Sequence, residues 1–188
     1  MSEYCMIEKI RAFSKLKIFR GLWTMTTIAY RNKCLASDSK ISDYDTMSST
    51  YMTKIFKISR LELYQLSDPP SEIIASREKQ VLVGIVGDMY TGLRFIKWLK
   101  NPNEDDKVFL QGLSEDYFFE AIVVDEEGNV SIYNNFLEPL ELGKIAFYAL
   151  GSGAKIAMAL LDYGVGLETT LEFSKKYDMN TGGETHIV

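Results

Sequence analysis

Alternating and continuous apolar segments predict strands along most of the chain. Residues 26–31 and 34–37 fit a hairpin that turns near Asn32 and Lys33, and the run QVLVGIV at 80–86 is typical of a buried strand. The remaining predicted strands are residues 52–59, 118–124, 130–133, 145–150 and 185–188. The polar segment DEEGN at 125–129 lies between two of these strands and predicts a second hairpin turn.

Apolar residues at helical spacing predict three helices between these strands. The first follows Asp88, a good capping residue, and ends at the sequence NPN at 101–103. The second covers 154–163 and is ended by Gly164, and the third covers 167–177 with two lysines in its last turn. The order of strands, helix, strands, two helices and strand predicts an α+β fold of antiparallel sheets with helices outside.

Composition narrows the class of protein. The chain has 188 residues, 46% hydrophobic and 25% charged, which suits one globular domain with a full core. No apolar run approaches the length of a membrane span. Residues 1–25 carry a net charge of +3, so with −5 overall the remainder carries −8. An acidic body argues against nucleic acid as the main partner.

Cysteine and histidine are scarce. Cys5 and Cys34 are the only cysteines, and we interpret them as reduced thiols of a cytoplasmic protein. His186 is the only histidine, and it stands two residues from the end of the sequence. A histidine-based triad or a metal site of several histidines is therefore hard to build, and neither a metal nor another cofactor is expected.

Met25 stands directly before Thr26 and Thr27. If the chain begins at Met25, removal of methionine exposes Thr26 as the first residue. An N-terminal threonine carries a free α-amine close to its own hydroxyl, so the nucleophile and its base lie on one residue. A threonine inside a chain cannot act in this way, because its nitrogen is an amide.

Residues 1–25 form an extension that has three interpretations. Residues 1–23 have a helical pattern in which basic residues separate apolar ones. The segment is a propeptide cut before Thr26, an amphipathic arm that docks on a partner or a membrane surface, or an upstream extension from a start codon assigned too early. The third is favoured because codons for Arg20 and Gly21 can form a ribosome-binding sequence before Met25.

Five further stretches follow the start at 26–31 in a fixed order. They are CLASDS at 34–39, TKIFKI at 53–58, VGIVGD at 83–88, LGSGA at 150–154 and DMNTGG at 178–183. Together they resemble the N-terminal-nucleophile hydrolases of the proteasome β-subunit and HslV peptidase type, over residues 26–188. The resemblance implies a four-layer αββα sandwich, with two antiparallel sheets packed face to face and helices outside.

The resemblance also implies roles for individual residues. Thr26 would be the nucleophile, and Asp38 and Lys54 would orient it. The backbone N–H of Gly84 would bind the oxyanion. Ser152, Asp178 and Thr181 would hold the amine and its water. The positions that line the first specificity pocket in the family fall here on apolar or aromatic residues: Ile41, Met52, Leu82, Val86 and Tyr90.

Two departures from the family pattern concern loop lengths. The segment from Thr26 to Asp38 is shorter by an even number of residues, so strand alternation is kept and a tighter hairpin absorbs the loss. The segment from Lys54 to Gly84 is longer, and the sequence SDPPS at 67–71 predicts an inserted loop there. The rim of the site is expected to differ accordingly.

Each motif residue also has a purely structural interpretation. Thr26 fits an ordinary strand, and Asp38 with Lys54 fits a surface ion pair. Gly84 fits a tight strand-to-helix turn, and Ser152 fits a helix cap. Asp178 and Thr181 fit the end of a helix.

Three functions remain open from the sequence. The first is a threonine peptidase or amidohydrolase that needs a free Thr26. The second is a non-catalytic subunit of the same fold with a structural or binding role. The third is an amidohydrolase of the same nucleophile class with a small-molecule substrate. The family implies a peptide or protein substrate and a homo-oligomer, in some members a ring with an ATPase partner.

Overall fold

The computed structural model describes residues 23–24, 26–42, 49–65, 74–113 and 117–188. Its strands are β1 (Trp23–Thr24), β2 (Thr27–Arg31), β3 (Cys34–Asp38), β4 (Lys40–Ser42), β5 (Ser49–Tyr51), β6 (Ile55–Gln65), β7 (Ile74–Asp88), β8 (Phe119–Val124), β9 (Val130–Asn134), β10 (Leu140–Gly143), β11 (Phe147–Gly151) and β12 (Thr185–Ile187). Its helices are α1 (Met89–Lys100), α2 (Glu104–Gln111), α3 (Ala154–Asp162) and α4 (Leu167–Tyr177).

Four strands form the first sheet, in the order β11-β2-β3-β12, and every neighbouring pair is antiparallel. The hairpin between β2 and β3 turns at Asn32 and Lys33, which have φ angles of 51° and 65°. Positive φ at both central residues is the geometry of the tight two-residue turn that matches the twist of its strands. The short first hairpin predicted from the sequence is therefore confirmed.

The second sheet has six strands, with the path β1-β7-β8-β9-β10 and β6 paired to β7. β6 and β7 form a long antiparallel hairpin, in register from Ile55 opposite Gly84 to Gln65 opposite Ile74. The extra residues between Lys54 and Gly84 therefore lengthen β6 and β7, in addition to the loop expected between them. The inserted loop expected at 67–71 lies outside the described residues. β4 and β5 form a separate two-stranded sheet.

The main core lies between the two large sheets and under the helices. Ile28, Leu35, Val86 and Ile122 belong to the buried cluster that joins the sheets. A second cluster, centred on Phe95 of α1, lies on the outer face of the six-stranded sheet. Ala29 of β2 packs with residues of α3 and α4 on the outer face of the other sheet. The layers are helix, sheet, sheet and helix, which confirms the predicted αββα sandwich.

Several elements differ from the sequence expectation. α2 was not predicted, because its sequence EDDKVFLQ is largely acidic and has few apolar positions. It forms because the side chain of Asn103 caps its first turn and buried Asp106 pairs with Lys97 of α1. β4, β5 and β10 are short strands that the pattern also missed. Trp23 lies in β1, not in the helix expected for residues 1–23, and residues 1–22 lie outside the described part.

Within the described part of the chain, no helix is both long and apolar enough to cross a membrane.

Replacing Phe95 with alanine is expected to lower the free energy of unfolding by about 3–5 kcal/mol, because it leaves a cavity in a closed aromatic cluster. The Phe95 ring is fully buried, and its centroid lies 5.1 Å from those of Phe119 and Tyr133. Urea denaturation followed by circular dichroism measures the change. Phe136→Ala is the control: its side chain is 70% exposed, so the change should stay within about 0.5 kcal/mol. Equal losses in both variants would show that Phe95 is not part of the core.

Candidate active site

The pairing of β2 and β3 places Thr26 next to Asp38. Ile28 is opposite Ser37 in the register, so the start of β2 meets the end of β3. Lys54 directly precedes β6, and its carbonyl accepts the Ile85 N–H of β7 at 2.9 Å. Three segments that are distant in sequence thus converge where the two sheets meet.

Thr26, Asp38 and Lys54 form one buried hydrogen-bonded group. The Thr26 hydroxyl donates to Asp38 Oδ1, and the Lys54 ammonium donates to Thr26 Oγ1. Lys54 Nζ also lies 3.1 Å from Asp38 Oδ1 and donates to the carbonyl oxygen of Lys40. The side chains of Lys54 and Asp38 are 0% exposed, so the interpretation as a surface ion pair is wrong.

Asp38 holds several backbone segments as well as the lysine. Its Oδ1 accepts the Thr27 N–H at 3.0 Å. Its Oδ2 accepts the N–H of Lys40 at 3.2 Å and that of Gly182 at 3.0 Å. Both carboxylate oxygens are thus satisfied, as a buried charge requires.

The pKa of Lys54 is lowered from 10.5 to about 8. Burial is the larger cause, since it disfavours the charged form, and the neighbouring Asp38 opposes it by attraction and hydrogen bonding. Lys54 is therefore still mainly cationic at pH 7, yet it releases its proton far more readily than an ordinary lysine.

Ser152, Asp178 and Thr181 form a second polar group beside the first. The hydroxyls of Ser152 and Thr181 each donate to Asp178 Oδ2 at 2.6 Å. Ser152 Oγ also lies 3.4 Å from the Thr26 carbonyl oxygen. Because a hydroxyl has one proton, the shorter bond to the carboxylate takes it. Ser152 provides no side-chain cap to α3, so that structural interpretation is wrong, whereas Asp178 does end α4 as expected.

The pKa of Asp178 lies below its ordinary value. Partial burial acts to raise it, but hydrogen bonds from Ser152, Thr181 and Asn180 outweigh burial. The second group therefore carries a stable negative charge at neutral pH.

Two glycines allow the end of β11 and the loop after it to approach Thr26 and Thr27. Gly151 has φ 94°, and a Cβ there would lie 1.9 Å from the Thr26 carbonyl oxygen. A Cβ at Gly153 would lie 2.1 Å from Thr27 Oγ1. The sequence GSG at 151–153 is thus required by close packing as well as by turn geometry.

Gly84 lies within β7, where it is paired with Ile55 on one side and Ile122 on the other. A Cβ at this position would lie 2.9 Å from Ile28 Cδ1, so packing between the sheets independently favours glycine. Its role as an oxyanion donor stays a prediction.

The residues expected to line a specificity pocket lie in several places. Leu82 and Val86 belong to the core between the sheets, and Met52 packs against the cluster under α1. Ile41 is buried in β4, and Tyr90 is exposed on α1, where its ring forms a T-shaped pair with that of Phe109. The structure does not gather all five into one described cluster, and the pocket stays a prediction.

Sequence reasoning missed three contributors to the site. The Lys40 carbonyl and the Gly182 N–H are backbone groups, which have no side-chain signature. Thr27 was passed over because strand alternation turns its side chain away from Thr26. The pair Gly182-Gly183 beside Thr181 was a usable signal, since adjacent glycines often mark a close backbone approach.

The chain is similar in fold to several solved structures. The Anbu complex from Pseudomonas aeruginosa, described as a helical assembly, matches with a TM-score of 0.53 and 12% identity, over 87% of this chain and 79% of that chain. Eukaryotic HslV from Trypanosoma brucei matches with a TM-score of 0.54 and 13% identity, over 87% and 97%. BPH from Thiobacillus denitrificans, in complex with epoxomicin, matches with a TM-score of 0.52 and 12% identity, over 87% and 96%.

No family model matches the sequence, and no curated protein matches it. The structural matches nevertheless cover most of this chain and confirm the resemblance at the level of fold. The chain has the proteasome-like N-terminal-nucleophile fold.

The Lys54 ammonium is expected to titrate near pH 8 in the full chain, where Thr26 is internal and its nitrogen is an amide. Asp38→Asn should move the midpoint lower, because the carboxylate stabilises the charged lysine. NMR of the side-chain ¹³Cε resonance measures the midpoint, with exposed Asp162→Asn as the control that should leave it unchanged. A midpoint near 10.5, or a rise in Asp38→Asn, would contradict the buried ion pair.

Proposed function

We propose that this protein is a threonine peptidase or amidohydrolase that uses Thr26 as its nucleophile once residues 1–25 are absent. The observation that carries the proposal is the buried Thr26 hydroxyl held between the Lys54 ammonium and the Asp38 carboxylate. That arrangement orients the Thr26 hydroxyl. The Lys54 ammonium also supplies a positive charge beside the free Thr26 amine, which must stay neutral to act as a base. Residues 26–188 then constitute the functional domain.

The proposed reaction begins with attack of Thr26 Oγ on an amide carbonyl carbon. The α-amine of Thr26 takes the hydroxyl proton, directly or through a water, and passes it to the departing amine as the C–N bond breaks. Lys54 lowers the pKa of this amine from its ordinary value near 8, and Asp38 keeps the lysine charged. The family resemblance assigns oxyanion stabilisation to the Gly84 N–H, a contribution of roughly 3–4 kcal/mol for one good donor. Because Gly84 is paired on both sides within β7, this N–H would have to leave its strand pairing to bind the oxyanion.

A second half-reaction frees the threonine. Water attacks the acyl ester and is deprotonated by the amine, and the proton returns to Thr26 Oγ as the ester bond breaks. Ser152, Asp178 and Thr181 are proposed to hold the amine and this water. Their support is the anionic Asp178 group, whose Ser152 hydroxyl lies 3.4 Å from the Thr26 carbonyl oxygen.

An extended backbone at the end of β7 favours a peptide over a small-molecule substrate. β1 pairs antiparallel with this end, with Trp23 opposite Asp88 and Thr24 opposite Gly87. These two residues lie almost directly before Thr26, on the side where the acyl part of a substrate would attach. A peptide substrate is proposed to add a strand at the same position when residues 1–25 are absent.

A non-catalytic subunit of the same fold is the second candidate. In the full chain Met25 precedes Thr26 in the sequence, so the Thr26 nitrogen is an amide, and β1 covers the end of β7. A chain that keeps this segment would have a structural or binding role. A small-molecule amidohydrolase of the same class is the third candidate.

Assembly is proposed from the structural neighbours. The Anbu complex described as a helical assembly supports a homo-oligomer for this chain. A ring, and an ATPase partner, are proposed only as the family implies them. A cytoplasmic location is proposed from the cysteine content.

Removing the nucleophile should abolish hydrolysis. Intact mass of the protein expressed from the full gene first shows whether the chain begins at Thr26. In a chain that begins there, Thr26→Ala should lower kcat/KM for a fluorogenic peptide amide by roughly 10³-fold or more, since both the nucleophile and its acyl intermediate are lost.

Thr26→Ser is the matched variant, because it keeps the hydroxyl and should keep measurable activity. Unchanged activity in Thr26→Ala would overturn the mechanism. An inactive parent chain that begins at Thr26 would favour the non-catalytic subunit. A measured mass that corresponds to a chain beginning at Met1 or Ser2 would mean that the protein as made carries a blocked Thr26.

The apolar character of Ile41, Met52, Leu82, Val86 and Tyr90 predicts the substrate preference. A peptide amide with leucine before the scissile bond should have a kcat/KM at least about tenfold above that of the matched lysine peptide, because a lysine ammonium loses solvation in an apolar pocket. Steady-state kinetics with the two peptides at equal length and flanking sequence gives the ratio. A higher value for lysine would remove the pocket assignment without affecting the assignment of Thr26.

A further inference from the structure

The Thr27 side chain connects the two polar groups that flank Thr26. It is fully buried at the start of β2. Its backbone N–H donates to Asp38 Oδ1 at 3.0 Å, and its Oγ1 lies 2.7 Å from Thr181 Oγ1. One residue therefore contacts the Asp38 group through its backbone and the Asp178 group through its hydroxyl.

The direction of these hydrogen bonds follows from the number of protons available. The Asp178 carboxylate is ionised at neutral pH and can only accept. Thr181 Oγ1 lies 2.6 Å from Asp178 Oδ2, so the single Thr181 proton is used there. The contact between Thr27 and Thr181 must then use the proton of Thr27. The order of donation runs from Thr27 to Thr181 and on to Asp178.

Gly153 encloses this pair of hydroxyls. A Cβ on Gly153 would lie 2.1 Å from Thr27 Oγ1, 3.2 Å from Thr181 Oγ1 and 3.3 Å from Asp178 Oδ2. The loop backbone thus packs directly on the hydroxyl of Thr27. The space beside that hydroxyl is too small for a side chain at position 153.

We propose that Thr27 is a positioning residue for the Thr26 nucleophile, a role that rests on the proposed function. The Thr27 hydroxyl fixes the rotor of Thr181 so that its proton stays on Asp178. With its N–H on Asp38, the same residue sets the spacing between the two carboxylates on either side of Thr26. A free Thr26 amine would therefore meet a preorganised anionic group at a fixed distance.

Two variants of the chain that begins at Thr26 separate the hydroxyl from the rest of the side chain. Thr27→Val keeps the shape and removes the donor, whereas Thr27→Ser keeps the donor. We expect Thr27→Val to lower kcat by about tenfold with KM within about twofold of the parent, since a hydrogen bond is lost that orients the site but does not touch substrate. Thr27→Ser should recover most of kcat. The probe is a peptidyl aminocoumarin amide with leucine at the scissile bond.

A remote control and a double variant check that the loss is specific. Thr170 is fully buried in α4, and its hydroxyl has no hydrogen-bond partner in the structure. Thr170→Val removes a buried hydroxyl of the same kind and should leave kcat unchanged. The double variant Thr27→Val with Thr181→Val should lose no more kcat than Thr181→Val alone, because both substitutions break the same chain of donors.

Several results would overturn the role. Parent-like kcat in Thr27→Val, or equal losses in Thr27→Val and Thr27→Ser, would show that the hydroxyl does not position the site. If thermal unfolding shows that Thr27→Val does not fold, Thr181→Val carries the test, and an unchanged kcat there overturns the proposal. An inactive parent chain overturns the proposed function itself, whereas an active parent with an unaffected Thr27→Val overturns only this inference.

Discussion

The burial of Lys54 beside Asp38 is the constraint on which the rest of the site depends. Neither charge can be buried alone without a cost of several kcal/mol, so each requires the other and a full set of hydrogen bonds. Asp38 meets that requirement by accepting backbone N–H groups from Thr27, Lys40 and Gly182 as well as from the lysine. The carboxylate therefore fixes the start of β2, the start of β4 and the loop before β12 around one point.

Packing between the two sheets further fixes the position of Thr26. Ile28 and Gly84 meet between the sheets so closely that a Cβ on residue 84 would lie 2.9 Å from Ile28 Cδ1 and would force the neighbouring side chains to shift, so the start of β2 packs tightly on β7. The loop after β11 approaches the same residues through Gly151 and Gly153. Thr26 is thus placed by packing from both sheets, and its hydroxyl is oriented by the buried ion pair.

The α+β class and the first hairpin could be predicted from the sequence because both rest on the spacing of apolar and turn residues, whereas the four-layer sandwich and the grouping of Thr26, Asp38 and Lys54 were implied by the family resemblance. The short hairpin around Asn32 and Lys33 brings Thr26 and Asp38 together, independently of the lengths of the other loops. Contacts made by backbone groups, such as the Lys40 carbonyl that accepts from Lys54, leave no side-chain signature and could not be predicted. The acidic helix α2 was missed because its cap and the pairing of Asp106 with Lys97, not apolar periodicity, define it. The far ends of β6 and β7 were missed because these strands pair with each other beyond the predicted apolar segments. The catalytic roles of the site residues rest on family resemblance and are proposals.

The long hairpin of β6 and β7 also limits how copies of this chain can be arranged. β8 pairs with β7 only from Leu82 onwards, so among the described residues the stretch from Ile58 to Gln65 and its partner strand form a two-stranded ribbon. Eight residues in extended conformation span roughly 26 Å, comparable with the diameter of a small domain. Any closed assembly must either leave a gap for this ribbon or pack a neighbour against it. In the proposed homo-oligomer, the number and tilt of the subunits would then depend on an element distant from the proposed catalytic site.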